Sequence, residues 1–270
     1  MANSGEELDY VENSHGDRYD MDAWHNGNEL VTTVAGSSSC AKKVVVINAP
    51  GPINLPWLSS VDGVVFSGMG AAESGNGIAD VLFGDLNPSG HLPYVWGELN
   101  QYPGSINFND GDYSTYDYSE GVFVGQRYFD LKGYTPIFPF GYGLSYTTFS
   151  FSDLTTNYDS SNKKLTATFN VKNEGSLDGD AVPMLFLKFP TIEEYGENGY
   201  PSKLLKGFEK VFVQSGQTKS VTITVDEHAL SYYSVKDAKF KMGSGTFTVY
   251  IGLNAGKNDY DKINTTVNIS

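Results

Sequence analysis

The sequence predicts two structural parts: an α/β region with parallel strands over residues 1–100, and an all-β sandwich over residues 149–270. Short apolar runs that are followed by helical patterns predict the first part. Alternating apolar and polar residues, with turn signals between the runs, predict the second part. Residues 101–148 lack such patterns, and we interpret them as a loop-rich connector.

The first helix is predicted over residues 24–37, where apolar residues recur at helical spacing. Asn26 opens this segment and Glu29 follows three residues later, which predicts a weak capping pair. The apolar members of the pattern are Leu30, Val31, Val34 and Ala35.

Two apolar runs are predicted to form parallel strands. Residues 43–47 form a short run of the kind found in strands that are buried on both faces. Residues 64–66 form the second run and lead into a glycine-rich turn. A helix follows, which is predicted to end near Gly84. Because strands and helices alternate, we expect the strands to pair in parallel. The apolar face of this second helix consists of Ile78, Val81 and Leu82.

The connector contains two unusual stretches. Residues 107–120 are polar, acidic and rich in tyrosine, whereas residues 136–146 combine proline, glycine and aromatic residues. Connections of this length are usually functional or lie over another surface of the protein.

About seven short strands are predicted after residue 149. Apolar and polar residues alternate in residues 165–171, and further apolar runs occupy residues 211–213, 221–225 and 247–251. This number of short strands favours a β-sandwich of the immunoglobulin or fibronectin type III kind.

The composition excludes several classes of protein. The 270 residues include 32 acidic and 18 basic side chains, which gives a formal net charge of -14. Nucleic acid and anionic membranes are therefore poor partners, because binding to phosphate requires clustered Lys and Arg. Cys40 is the only cysteine, which excludes zinc fingers and disulfide scaffolds. No run approaches the ~18 apolar residues of a membrane span, and the first residues do not resemble a signal peptide.

The motifs typical of cofactor and metal sites are absent or incomplete. The turn from Gly68 to Glu73 almost matches a dinucleotide-binding fingerprint, but Glu73 stands where the third glycine is needed. A plain turn between a strand and a helix is the better interpretation. The histidines lack the spacing of metal ligands, and residues 109–112 do not fit a calcium loop. We expect neither a cofactor nor a metal.

The remaining candidates are carboxylates and glycosylation sites. Several acids lie near the N-terminus, among them Glu6, and composition alone does not distinguish Glu6 from an ordinary solvated acid. Asn264 and Asn268 each begin a glycosylation sequence, which matters only if the chain is secreted.

Several separate motifs resemble those of glycoside hydrolase family 3 β-glucosidases of the fungal type. The most specific is residues 73–84 (ESGNGIADVLFG) together with residues 87–90 (NPSG). The others are Ser4-Gly5-Glu6, Gly16-Asp17-Arg18, Trp24-His25-Asn26-Gly27, residues 120–130, residues 138–146, residues 171–175 and residues 205–208. The resemblance covers nearly the whole chain and identifies it as the C-terminal half of such an enzyme.

The resemblance implies a partial α/β sandwich domain followed by a fibronectin type III-like domain. Enzymes of this family release glucose from the non-reducing ends of β-glucosides with retention of configuration. Glu6 matches their acid/base glutamate, whereas their nucleophile is an aspartate on a (β/α)8 barrel that this sequence does not contain. The implied partners are cellobiose, β-glucan oligosaccharides and such a barrel. The resemblance also implies a secreted, glycosylated protein that acts in cellulose degradation.

Two residues depart from the family pattern, and two other functions stay open. Glu7 replaces the glycine that usually follows the catalytic glutamate, and Met184 stands where the family often has Gln. The chain is alternatively a non-catalytic module that binds glycan or protein through the aromatic loop, or a truncated product without activity. The aromatic residues of that loop are Tyr113, Tyr116 and Tyr118.

Overall fold

The computed structural model describes residues 20–37, 41–103 and 118–270. The chain divides into two compact units. Unit 1 comprises Met1–Leu86 and Gly97–Ser119, and unit 2 comprises Asn87–Trp96 and Glu120–Ser270. The division at residues 100 and 148 stays a prediction about independently folding domains.

A parallel pair of strands and two helices form the described part of unit 1. These elements are α1 (Gly27–Gly36), β1 (Val44–Ile47), β2 (Gly63–Phe66) and α2 (Ser74–Phe83). The strands run parallel, with Val44 opposite Gly63 and Ile47 opposite Phe66. The predicted parallel α/β arrangement is therefore confirmed. None of the helices in the described residues is long and apolar enough to cross a membrane.

The predicted capping pair at the start of α1 is wrong. Asn26 has a left-handed backbone, with φ 57° and ψ 32°, and its side chain makes no capping hydrogen bond. A capping Asn needs an extended backbone, because only then does its side-chain oxygen face the free amides of the first turn. Asn also tolerates left-handed dihedral angles better than most residues, and that property suits it to this position.

Apolar residues of unit 1 are less buried than their patterns predict. Val44 in β1 is 50% exposed, whereas Ile47 is fully buried, so β1 is not covered on both faces by the described residues. On α1, Val31 is buried but Leu30 and Val34 are 61% and 51% exposed. A strand is buried on both faces only when layers pack above and below it.

The end of α2 follows its prediction. Gly84 has a φ of 84°, and its N–H donates to the carbonyl oxygen of Val81 at 3.2 Å. Glycine adopts this left-handed conformation without a steric penalty, which is why helices often end on it.

In unit 2, residues 138–142 of the connector pair with residues 92–96, which precede the connector in the chain. The backbones of Trp96 and Phe138 exchange hydrogen bonds of 2.7 and 3.0 Å, and the Leu92 N–H donates to Tyr142 at 2.8 Å. A Cβ added at Gly143 would lie 2.3 Å from the carbonyl oxygen of Gly90, so only glycine allows this approach. Two of the motifs that carry the family resemblance thus pair with each other and serve the fold.

A partly buried ion pair joins the helix of the connector to the sandwich. This helix, α3, spans Gln126–Lys132. Asp130 accepts from Lys203 Nζ at 3.0 Å and from Gln126 Nε2 at 3.0 Å, while Lys203 also donates to the carbonyl oxygen of Ala255 at 2.7 Å. The Lys203 side chain is only 10% exposed. Separating such a pair would leave an uncompensated charge, which is strongly destabilising.

Residues 149–270 form an antiparallel β-sandwich, as predicted. The strands are β3 (Phe149–Asp159), β4 (Lys164–Asn173), β5 (Gly179–Ala181), β6 (Met184–Lys188), β7 (Leu204–Phe208), β8 (Val211–Val213), β9 (Thr218–Val225), β10 (Ser231–Ser234), β11 (Lys239–Met242), β12 (Gly245–Gly252) and β13 (Ile263–Ile269). One sheet has the order β13-β12-β6-β7, another has the order β3-β4-β9, and β5-β8 and β10-β11 form short pairs. The short pairs raise the number of strands above the predicted seven, because strands of three or four residues show little alternation.

The alternating residues form the core of the sandwich. In β4, Leu165, Phe169 and Val171 are at most 1% exposed, and in β12 Phe247 and Val249 are fully buried. These side chains belong to one continuous apolar cluster. Each buried side chain of this size contributes about 1.5–3 kcal/mol relative to an exposed one. Met184, which departs from the family pattern, is also buried, in a second cluster with Phe186.

Candidate functional site

The candidate acid/base residue, Glu6, lies outside the described residues, as does Cys40. Of the tyrosines in the aromatic loop, Tyr113 and Tyr116 also lie outside, whereas Tyr118 is described and is 67% exposed. The site geometry therefore comes from the residues that follow Glu6 in unit 1.

A tight turn leads the chain into α1. His25 and Asn26 have positive φ values of 54° and 57°. The N–H of buried Gly27 donates to the carbonyl oxygens of Ala23 and Trp24, at 3.3 and 3.0 Å. The motif Trp24-His25-Asn26-Gly27 thus has a conformational role, since it reverses the chain just before α1.

A polar cluster ties this turn to the segment after β1. Asp22 Oδ1 accepts from Asn54 Nδ2 at 2.7 Å and from Asn28 Nδ2 at 3.3 Å. Asn28 Oδ1 in turn accepts from the indole N–H of Trp57 at 2.9 Å, and Trp57 is 1% exposed. Sequence patterns do not predict this cluster, because no spacing rule joins positions 22, 28, 54 and 57. The cluster joins the start of α1 to the segment between β1 and β2.

The carboxyl ends of β1 and β2 form the edge where open parallel sheets usually bind their ligands. Ser67, directly after β2, donates through Oγ to the Ile47 carbonyl oxygen at 3.1 Å. A Cβ at Gly70 would lie 2.3 Å from Cβ of Ser74, so the turn requires glycine there. Glu73 precedes α2 and accepts from Asn76 Nδ2 at 2.6 Å. The described part of this edge thus offers a hydroxyl group and one exposed carboxylate.

The electrostatics of the described residues do not single out a catalytic carboxylate. The pKa of Asp62 in unit 1 is lowered, first by its hydrogen bond from Lys42 and then by that from the Lys43 backbone. Both Asp62 and Lys42 are exposed, and they join the segments before β1 and β2. Within the described ranges, no group of three or more His, Cys, Asp or Glu residues is arranged to hold a metal ion.

The two candidate glycosylation sites lie on β13. Asn264 and Asn268 are both exposed, and four residues in a strand return the side chain to the same face. We expect expression through a glycosylating secretory pathway to attach a glycan at each site. An N-glycan-specific endoglycosidase should then lower the mass of the wild-type protein by two glycans and that of Asn264→Gln by one. The mass of the double variant Asn264→Gln/Asn268→Gln should not change. An unchanged mass of the wild-type protein would contradict this expectation.

Comparison with known proteins identifies both parts of the chain. The glycosyl hydrolase family 3 C-terminal domain matches residues 2–146, and the fibronectin type III-like domain matches residues 181–255. The probable β-glucosidase L of Aspergillus fumigatus is 39% identical over 93% of this chain and 36% of its own length. The thermostable β-glucosidase B of Acetivibrio thermocellus is 37% identical over 97% of this chain and 34% of its own length.

Solved structures of β-glucosidases match the fold over nearly the whole chain. The crystal structure of the β-D-glucoside glucohydrolase of Trichoderma reesei has a TM-score of 0.84 and 32% identity, and the match covers 100% of this chain. The β-glucosidase DesR of Streptomyces venezuelae, solved with D-glucose, has a TM-score of 0.82, 30% identity and 95% coverage. The match covers 39% and 32% of those two chains. This chain spans about a third of the length of these relatives, and it belongs to glycosyl hydrolase family 3, whose C-terminal domain matches residues 2–146.

Proposed function

We propose that this chain is the acid/base-bearing portion of a retaining β-glucosidase, with Glu6 as the acid/base residue. The observation that supports this role is the match to the family 3 domain from residue 2 onward, which includes the Ser4-Gly5-Glu6 motif. The nucleophile in this proposal is an aspartate of a barrel outside this sequence. The substrates are terminal β-D-glucosides such as cellobiose or β-glucan oligosaccharides, and the location is extracellular.

The chemistry requires two carboxyl groups on opposite sides of the scissile bond. The aspartate attacks the anomeric carbon while Glu6 gives its proton to the departing glycosidic oxygen, which leaves glucose covalently bound to the aspartate. Glu6 then takes a proton from water, which attacks the same carbon and releases β-glucose. Retaining enzymes hold the two carboxyl groups about 5–5.5 Å apart. The residues around Glu6 must therefore be fixed to a fraction of an ångström in the complete active site.

Reconstitution with a barrel tests this proposal. We expect the chain alone to leave 4-nitrophenyl β-glucoside intact, because one carboxylate of the pair is missing. Co-expression with the segment of A. fumigatus β-glucosidase L that precedes its matching region should restore hydrolysis. Proton NMR should show β-glucose as the first product, since two displacements retain the configuration.

The chain alone and a neutral substitution provide the controls. Glu12→Gln should leave the reconstituted activity unchanged, since Glu12 has no role in the proposed step. Turnover by the chain alone that is lost in Glu6→Gln would contradict the proposal of an external nucleophile. In that case Glu7 or Glu12 would be the first residues to test as nucleophiles.

A further inference from the structure

A β-bulge in the edge strand of the sandwich displaces Lys206 from its ladder. Across β6 and β7, Leu185 lies opposite Gly207 and Phe186 lies opposite Leu205, so Lys206 between them has no partner. Such bulges redirect a side chain and are frequent beside functional sites. The Lys206 Nζ lies 5.3 Å from the ring centroid of Phe189, a side chain that is only 6% exposed.

A second cation is held next to this bulge. The ion pair between Asp130 and Lys203 fixes α3 beside the segment that carries Lys206. Arg127 precedes Asp130 by three residues, which puts both side chains on the same side of α3. The charge of Arg127 accordingly acts on both Lys206 and Tyr200.

The two cations lack an opposing charge among the described side chains. None of the ion pairs found there includes Arg127 or Lys206. The carboxylate of Asp130 on α3 is already bound by Lys203 Nζ at 3.0 Å. The protein has a net charge of -14 and therefore more carboxylates than its 18 basic residues need as partners. Two half-buried cations such as Arg127 and Lys206 without an ion-pair partner among the described side chains are therefore unusual.

The local electrostatics favour the binding of an anion. Burial lowers the pKa of Lys206, and the charge of Arg127 lowers it further. Beside them, burial raises the pKa of Tyr200 to about 12, with a contribution from Tyr195. The Tyr200 hydroxyl is thus protonated at neutral pH and available as a hydrogen-bond donor. Bringing an anion here would offset the repulsion between the two cations.

We propose that Arg127 and Lys206 bind an oxyanion, namely the carboxylate or phosphate group of a small molecule. A guanidinium group binds either group in a bidentate manner, and an ammonium group adds a point charge. The anion proposed for this site differs from the substrates proposed for Glu6, because terminal β-glucosides such as cellobiose are neutral.

Calorimetric titration of the full chain tests the site at fixed ionic strength. The probes are glucuronate for a carboxylate and glucose 6-phosphate for a phosphate, with glucose as the neutral control. We expect saturable binding of at least one anion, a matching rise in Tm and no heat from glucose. A response to one probe alone identifies the group that the site accepts.

Three variants distinguish this site from general charge effects. Arg127→Gln and Lys206→Met should each weaken anion binding at least about tenfold, the usual effect of losing a charge-assisted hydrogen bond. Lys206→Met keeps the apolar stem over Phe189, so the fold should persist. Lys164→Gln removes an exposed charge from the other sheet and should bind as the wild type does. Absence of saturable binding, equal binding of glucose, or unchanged binding in both site variants would overturn the proposal.

Discussion

In the enzyme reconstituted with a barrel, Glu6→Gln is expected to lower kcat/KM for cellobiose by about 10²–10⁴-fold. Glutamine has nearly the same shape as glutamate but cannot give a proton to the departing oxygen. The glucose that leaves from cellobiose is a poor leaving group, so the first step depends on this proton. Initial rates of glucose release, measured across substrate concentrations, provide the comparison.

The leaving group separates loss of acid catalysis from loss of structure. With 2,4-dinitrophenyl β-glucoside, whose leaving group departs without protonation, Glu6→Gln should retain far more of the formation of the glycosyl-enzyme intermediate. A burst of dinitrophenolate would report that step, because the second step still lacks its base. Equal losses on both substrates, with no burst, would contradict the assignment of Glu6 as acid/base. Glu7→Gln is the neighbouring control and should leave this dependence on the leaving group unchanged.

Asn173→Ala is expected to lower the free energy of unfolding by about 3–4 kcal/mol. Asn173 is fully buried at the end of β4. Its Nδ2 donates to the carbonyl oxygens of Leu177 and Val213, at 2.8 and 2.9 Å. Its Oδ1 accepts from Thr147 Oγ1 at 2.5 Å and from the Gly175 N–H at 3.0 Å. Alanine would leave these groups in or near the protein interior without a partner.

Urea denaturation of the full chain measures this loss as a lower midpoint at an unchanged slope. Asn157→Ala is the matched control, because Asn157 is exposed in β3, and it should change stability by less than about 0.5 kcal/mol. If the free energy of unfolding of Asn173→Ala stayed within about 1 kcal/mol of the wild-type value, the hydrogen bonds of Asn173 would not stabilise the fold as their geometry indicates. The segment 171–175, which carries part of the family resemblance, would then need another explanation.

Local sequence patterns correctly predicted the elements whose structure depends on residues that are close together in the chain. The alternation in β4 is a direct consequence of a strand with one face on the core, and Leu165 and Phe169 are buried as predicted. Likewise, Gly84 ends α2 because glycine adopts the left-handed backbone needed there without a steric penalty. Such features depend on neighbours in the sequence and can be recognised from it.

Features that depend on tertiary contacts or on the exact form of a turn were missed or predicted wrongly. Asn26 has the residue type of a helix cap, but the turn before α1 gives it a left-handed backbone in which capping is impossible. The indole N–H of Trp57 bonds Asn28 across 29 positions of the sequence, and a bulge in β7 leaves Lys206 without a partner in the strand pairing. The assignment of Glu6 stays a prediction, since it falls outside the described residues.

The order of amino acids by itself determined the parallel α/β part, the β-sandwich and the kinship to family 3, because short-range periodicity and contiguous motifs encode them. Only the tertiary structure decided what many of those motifs do. Residues 87–96 and 138–146 pair with each other, and Asn173 fastens the loops at the end of β4. The physical reason is that hydrogen bonds and ion pairs form between atoms that are close in space. Folding brings such atoms together even when their residues are far apart in the sequence.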